Sequence, residues 1–187
     1  MTCTPMVIEH GAPRETAGRS VQELACYQTL DRLGIDYLRA DHESAATMEL
    51  CRSIETGLGC PICKNLLLTN RQQTDFYLLM MDGQKVFKTK HLSKALGCAR
   101  LSFASPEQMQ ALLDVTPGSL TPLGLLHDEA HRVRLVIDQP LLSWPRIGVH
   151  PCRNTSTVAL ETRDLLERLL PALGVTPTVV CLPEEDA

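Results

Sequence analysis

Three short segments set polar or conformationally special residues into otherwise apolar surroundings: Lys64-Asn65, the stretch from Thr116 to Gly124, and the stretch from Gly148 to Asn154. Lys64 and Asn65 stand directly before Leu66-Leu67-Leu68, so a strand beginning at them fixes their direction. A lysine there can offer a cation to a phosphate or to a developing oxyanion, and an asparagine offers amide donors and an acceptor. The same lysine can equally lay its stem on apolar surface and send the ammonium to solvent. In Thr116-Pro117-Gly118-Ser119-Leu120-Thr121-Pro122-Leu123-Gly124, Gly118 permits close approach by a ligand and two prolines restrict the chain. Such a loop can hold backbone N–H groups toward a carbonyl or ribose oxygen, although most loops of this composition are only turns. Gly148-Val149-His150-Pro151, followed by Asn154, Thr155 and Thr157, puts an imidazole and several neutral hydrogen-bonding groups at one strand entrance. His150 could orient a water, bind an amine or act as a general base; as a lone loop histidine it could also be an ordinary surface residue.

Cys60-Pro61-Ile62-Cys63 is a CxxC pair that could bind zinc or cycle between thiol and disulfide. No second CxxC is present, and His42, Cys51 and Cys26 lie at no familiar zinc spacing. A redox pair should open a helix after a strand, whereas this one runs into Leu66 to Leu68. Ordinary thiols near the site are the favoured reading, with no metal and no cofactor expected.

The elements that must position these groups follow from periodicity. Val21, Leu24, Tyr27, Leu30 and Leu33 recur every three residues between Ser20 and the stop at Gly34, which predicts an amphipathic helix. Strands are expected at Ile35 to Leu38, Asn65 to Thr69, Phe76 to Met81, Leu101 to Phe103, Val133 to Ile137, Thr155 to Leu160 and Val175 to Cys181. Asp82-Gly83 reads as a tight hairpin turn. Helices are expected at His91 to Leu96, from Ser105-Pro106-Glu107-Gln108 with its capping box, and at Thr162 to Leu173. Short strands and helices intermixed in this way predict an α+β fold with a mostly antiparallel or mixed sheet.

With 187 residues, 44% of them hydrophobic, the chain can bury one sizeable core. Residues 20–182 are read as one domain, 1–19 as a loose arm that can dock but does not nucleate, and 183–187 as an acidic tail. No apolar run reaches the roughly 20 residues of a membrane span, and no signal-peptide core follows the N-terminus, so a cytoplasmic protein with no membrane partner is expected. Eight cysteines scattered through a chain with ample apolar residues are expected to be reduced. The net charge of -4 argues against sequence-blind affinity for nucleic acid, which runs on phosphate neutralisation. Any RNA contact must therefore use a local cluster, and Lys85, Lys88, Lys90, Lys94 and Arg100, preceded by Lys64 and Arg71, supply one.

In this order, Lys64-Asn65-Leu66-Leu67-Leu68, Leu92-Ser93-Lys94-Ala95-Leu96-Gly97, Arg100-Leu101-Ser102-Phe103-Ala104-Ser105, Gly118-Ser119-Leu120-Thr121-Pro122 and Gly148-Val149-His150-Pro151 with Asn154 and Thr155 resemble the prolyl-tRNA editing and YbaK family. The likeness spans roughly Leu30 to Leu173. It implies that family's fold: a curved, mostly antiparallel or mixed sheet with barrel-like closure, packed by helices, with a cleft for the tRNA 3′ end. It also implies a free-standing enzyme that hydrolyses mischarged aminoacyl-tRNA in trans, most closely the branch that removes alanine from proline tRNA.

Carried over by position, Lys64 and Asn65 would hold the terminal adenosine with its phosphate or the ester carbonyl. Gly118 and Ser119, continuing through Leu120, Thr121 and Pro122, would set backbone N–H groups against the ester, and His150 would line the amino-acid pocket. His42, Gly148, Pro151, Asn154 and Thr155 would complete substrate binding. Water would be activated largely by the substrate's ribose hydroxyl, leaving Lys64 an electrostatic role. The resemblance further implies tRNA as partner, with prolyl-tRNA synthetase a possible helper. Other readings are a cysteinyl or seryl ester as substrate, or a non-catalytic module that binds a tRNA end or a synthetase. The chain departs from the family pattern in its CxxC and in Glu43, where the family commonly has Pro after the histidine.

Overall fold

Phe76-Tyr77-Leu78-Leu79-Met80-Met81 has no polar alternation, the signature of a strand covered on both faces. The computed structural model, which describes residues 6–44 and 48–184, places this run at the centre of a sheet with apolar clusters on either side. The elements in order are β1 (Val7–His10), α1 (Val21–Arg32), β2 (Tyr37–Asp41), α2 (Met48–Leu58), β3 (Cys63–Thr69), β4 (Phe76–Asp82), α3 (Thr89–Leu96), β5 (Ser102–Phe103) and α4 (Pro106–Leu113). They continue with a 3-10 turn (Pro122–His127), β6 (Val133–Asp138), a second 3-10 turn (Gln139–Ser143), β7 (Arg146–Val149), β8 (Ser156–Glu161), a helix α5 over residues 162–172 with a π turn at Leu165–Leu169, and β9 (Thr178–Val180).

The strands form two sheets, not one closing on itself. One is antiparallel, in the order β1-β2-β8-β7; the other is mixed, in the order β5-β3-β4-β6-β9, with β4-β6 and β6-β9 parallel. The expected α+β class and mixed pairing hold, but the barrel-like closure is corrected: each sheet ends in edge strands. The physical reason is that both faces of the mixed sheet are already occupied. One face, with Leu67, Leu78 and Ile137, shares a core with Val149 and Val158 of the other sheet and with Tyr27 and Leu30 of α1. The opposite face, with Leu68, Leu79 and Val136, is covered by Leu92 of α3.

Local signals account for the elements that agree with the sequence. Ser20 caps α1 by accepting from the Glu23 N–H (3.1 Å). Ser105 and Gln108 form the reciprocal capping box of α4, with the Gln108 side chain accepting from the Ser105 N–H at 2.8 Å. The differences have equally local causes. Asp82-Gly83 does not make a hairpin: Gly83 lacks a positive φ, and the turn hands the chain to α3. The hairpin is the Asn70–Asp75 loop joining β3 to β4, where the Asn70 side chain accepts from the Thr74 N–H at 2.9 Å. The strand expected at Ile35 to Leu38 begins at Tyr37, and α2 and β7 lie in stretches where the sequence predicts no element.

The N-terminal arm docks as β1 although all four of its residues are exposed. Charge holds it. The buried Arg39 guanidinium donates to the Glu9 carboxylate, to the Gly11 carbonyl (2.7 Å) and to Asp41 (3.1 Å), while Arg19 clamps Asp41 from the other side (2.6 Å). At the opposite end Glu184 reaches Lys85 (3.2 Å); the rest of the predicted acidic tail lies outside the described residues.

Lys85 belongs by sequence to the cation cluster expected to face RNA, and the structure removes it from that set. Its side chain is buried, donating to Asp138 (2.8 Å) and to the Leu182 carbonyl (2.7 Å). Lys85→Ala is expected to destabilise the fold by about 3–5 kcal/mol, because the fully buried Asp138 carboxylate loses its counter-charge. Urea titration of the variant checks this, and a midpoint matching the parent would refute it.

Candidate active site

β3 is paired along its whole length with β4, but on its other edge β5 meets only Leu68 and Thr69. The stretch from Cys63 to Leu67, its edge open before Leu67, forms one wall of a cavity of about 340 Å³, within the size range of small-molecule sites. Within an antiparallel strand a residue's N–H and C=O share one side, and the side alternates along the chain. The Leu67 carbonyl turns away from β4 to accept from the Ala104 N–H (2.9 Å), so Asn65, two residues earlier, turns its main-chain groups to that same open edge. Lys64 borders the cavity and is steadied by donating from Nζ to the Lys85 carbonyl (3.0 Å). Phe103 and Met109 of α4 close the side, Pro117, Gly118 and Leu120 form the loop wall, and His150 enters from the other sheet.

Lys64, Asn65, Gly118, Leu120 and His150, dispersed along the chain, thus converge. Gly118 has φ +86°, a conformation that L side chains rarely adopt, so its main chain is presented bare. Ser119 does not offer its hydroxyl to the cavity: Oγ donates to the Thr116 carbonyl (2.8 Å) and accepts from the Thr116 N–H (3.2 Å), tightening the turn. Thr121 and Pro122 are buried behind the loop, where Thr121 Oγ1 accepts from the Leu123 N–H (3.3 Å) and Pro122 starts the 3-10 turn.

The remaining candidates support the wall from behind. Gly148 is the joint between the two sheets. Its N–H donates to the Pro61 carbonyl (2.8 Å), and a Cβ placed on it would stand 2.9 Å from Ile62 Cγ1. Pro151, three residues further on, is buried. Asn154 donates to Ser44 Oγ (2.8 Å) and lies against Gly118; Thr155 accepts from Arg153 (3.1 Å) in a separate polar hollow with Arg19 and Asp41. Of the loop after His42, where Glu43 replaces the family's Pro, residues 45–47 lie outside the described residues.

His42 and His150 are coupled through Thr157. The Nδ1–H of His150 donates to the Ser156 carbonyl (2.8 Å), which leaves Nε2 of the neutral ring as an acceptor. His42 gives its Nδ1–H to the Glu43 carbonyl (2.7 Å) and takes a hydrogen bond at Nε2 from the Thr157 hydroxyl (2.9 Å). The ring centroids are 6.3 Å apart. Burial lowers the proton affinity of both rings; the nearby His42 lowers that of His150 further, while Asp41 partly restores that of His42. Both are neutral near pH 7. Below the ordinary histidine value of about 6.5 the unfolded chain takes up these protons and the folded chain does not, so stability is present above that pH and is lost as pH falls through the lowered values. His127, raised beside Cys152, acts in the opposite sense. The melting temperature is therefore expected to drop between pH 7.5 and 5.5 less steeply in His42→Asn than in the parent; parallel pH profiles would contradict the assignment.

The CxxC thiols are protonated near neutrality: burial pushes Cys60 up to about 11 and Cys63 up to about 12. Cys63 forms part of the cavity wall. Among the described residues no three His, Cys, Asp or Glu side chains gather as a metal-binding group. Nor is any helix of those residues long and apolar enough to cross a membrane. Met109 escaped the sequence analysis because it carries no polar signal; only proximity in space identifies it.

The family model for the aminoacyl-tRNA editing domain matches residues 42–168, more than half of the chain and inclusive of every cavity-lining residue. The chain belongs to that family. It is 35% identical over 147 residues to the prolyl-tRNA editing protein ProX of Acetoanaerobium sticklandii, covering 79% of this chain and 89% of that one. It is 29% identical over 153 residues to the prolyl-tRNA synthetase associated domain-containing protein 1 of Danio rerio, covering 81% and 82%. A solved structure described as a candidate trans-editing enzyme for prolyl tRNA synthetase superposes with a TM-score of 0.67 at 19% identity, over 89% of this chain and 99% of that one. This last likeness establishes the shared fold.

Proposed function

We propose that this editing domain acts in trans on alanyl-tRNA(Pro), hydrolysing the ester between alanine and the terminal ribose. Membership of the editing family makes the chain an aminoacyl-tRNA deacylase; the choice of the alanyl ester and of proline tRNA is the proposed part. The observation that carries the reading is the single cavity in which Lys64, the bare main chain at Gly118 and the imidazole of His150 meet.

Water adds to the ester carbonyl, and the resulting oxyanion then expels the ribose hydroxyl, leaving alanine and free tRNA. The cation of Lys64 and main-chain N–H groups at the Gly118 turn stabilise the negative charge as it develops. His150, neutral and with its Nε2 lone pair available, accepts a hydrogen bond from the substrate's ammonium and fixes the acyl group's orientation. As it attacks, the water passes a proton to the neighbouring ribose hydroxyl, which gives its own proton to the departing ribose oxygen, so the protein need not supply a strong base. A second sieve of this kind answers a physical need: a pocket made for proline cannot exclude the smaller alanine, since each missing methylene yields only about 1–3 kcal/mol of discrimination. Prolyl-tRNA synthetase, which releases the mischarged product, is the proposed source of substrate.

A deacylation panel with alanyl, seryl, cysteinyl and prolyl esters on proline tRNA tests the assignment. Alanyl-tRNA should be hydrolysed fastest and prolyl-tRNA slowest; faster turnover of the cysteinyl or seryl ester would replace alanine as the substrate.

A further inference from the structure

Phe103 is an exposed aromatic residue in a chain with only three phenylalanines, and 58% of its surface is open to solvent. It belongs to a two-residue edge strand and borders the cavity that holds Lys64, Asn65 and His150. Its ring is braced edge-on by Phe87, with centroids 6.0 Å apart and planes at 66°. Beyond that aromatic pair lies a second hollow, of about 500 Å³, lined by Lys88, Thr89, Lys90, Ser93 and Arg100. Lys88 follows Phe87 in sequence and Arg100 precedes Phe103 by three residues, so each phenylalanine adjoins along the chain a cation of that hollow, while Phe103 itself lines the acyl-sized cavity. Lys64 belongs to the same arrangement, because the carbonyl that holds its Nζ is that of Lys85, two residues before Phe87.

We propose that Phe103 is the stacking platform for the 3′-terminal base of the RNA, and that the hollow lined by Lys88, Lys90 and Arg100 receives the phosphates of the nucleotides before it. This rests on the deacylase reading only for the direction in which the RNA lies. If the acylated ribose fills the cavity, the base on that ribose must leave at the rim, and Phe103 is the flat apolar surface there. Unpaired bases gain affinity by stacking on aromatic rings, irrespective of base identity. The phosphates need a local cation cluster because the chain as a whole is negative. A solvent-exposed phenylalanine contributes little to folding, so its conspicuous placement at the rim favours a role in binding.

The test is binding of an uncharged oligonucleotide ending in CCA, together with kinetics on aminoacyl-tRNA. Phe103→Ala should weaken oligonucleotide binding and raise KM by about 10-fold or more, with kcat nearly unchanged; Phe103→Trp should restore binding, whereas Phe103→Leu should not. Removing the terminal base should cost the parent protein the same factor and cost Phe103→Ala nothing further. Undiminished binding by Phe103→Ala, or equal losses on base removal in both proteins, would overturn the platform. In the hollow, Lys90→Ala and Arg100→Ala should each flatten the dependence of log affinity on log salt by about 0.7; an unaltered slope would remove the phosphates from it. Because the oligonucleotide carries no ester, these outcomes hold even if the parent protein proves inactive on alanyl-tRNA, a result that would sink the proposed function alone.

Discussion

Replacing Lys64 by alanine is expected to reduce kcat for deacylation by about 10²–10³-fold, the usual cost of removing one preorganised donor from a developing oxyanion. The melting temperature should change little, because Lys64 is only partly buried and its one hydrogen bond is to the Lys85 carbonyl. The lysine is placed by two features that alanine leaves intact, the β3 backbone paired to β4 and the turn from Asp82 to Lys85. Loss of activity with retained fold would therefore report on charge in the cavity. Lys64→Arg keeps a cation but spreads it over a longer, planar group, so partial activity is expected. Turnover by Lys64→Ala at the parent's rate would remove Lys64 from the mechanism.

The second large effect is expected at Gly148, which does not line the cavity. Gly148→Val should destabilise the fold by about 1–3 kcal/mol and reduce kcat/KM by about 100-fold, the scale at which misplacing catalytic groups by an ångström is felt. A side chain there would press on Ile62 Cγ1 at 2.9 Å, the Pro61 carbonyl at 3.2 Å and Ile62 Cα at 3.3 Å. Two of those three contacts are backbone, which cannot swing aside. The strand carrying His150 would be driven from the strand carrying Lys64 and Asn65, opening the cavity between them. Thermal denaturation and steady-state kinetics measure the two effects. Full activity in Gly148→Val would show that the joint is not what sets the site's dimensions.

Much of the scaffold was legible because its causes are local. Ser105, Pro106 and Gln108 specify the start of α4 through their own hydrogen bonds, and the uninterrupted apolar run at Phe76 specifies a strand buried on both faces. What escaped depends on partners far along the chain. β1 is held by pairing to β2 and by Arg39, which donates to Glu9 from 30 residues away. Lys85 reads as one more cation in a basic stretch until Asp138, 53 residues on, is found beside it.

The sequence by itself determined the family motifs, most of the helices and strands, and the residues able to carry charge or present bare backbone, since these depend on composition and short-range order. Only the tertiary structure decided which of them share a cavity, that the strands divide into two sheets instead of a barrel, and that Phe103 stands exposed at the cavity rim. Those outcomes depend on which distant surfaces bury one another, and burial is a property of the assembled chain.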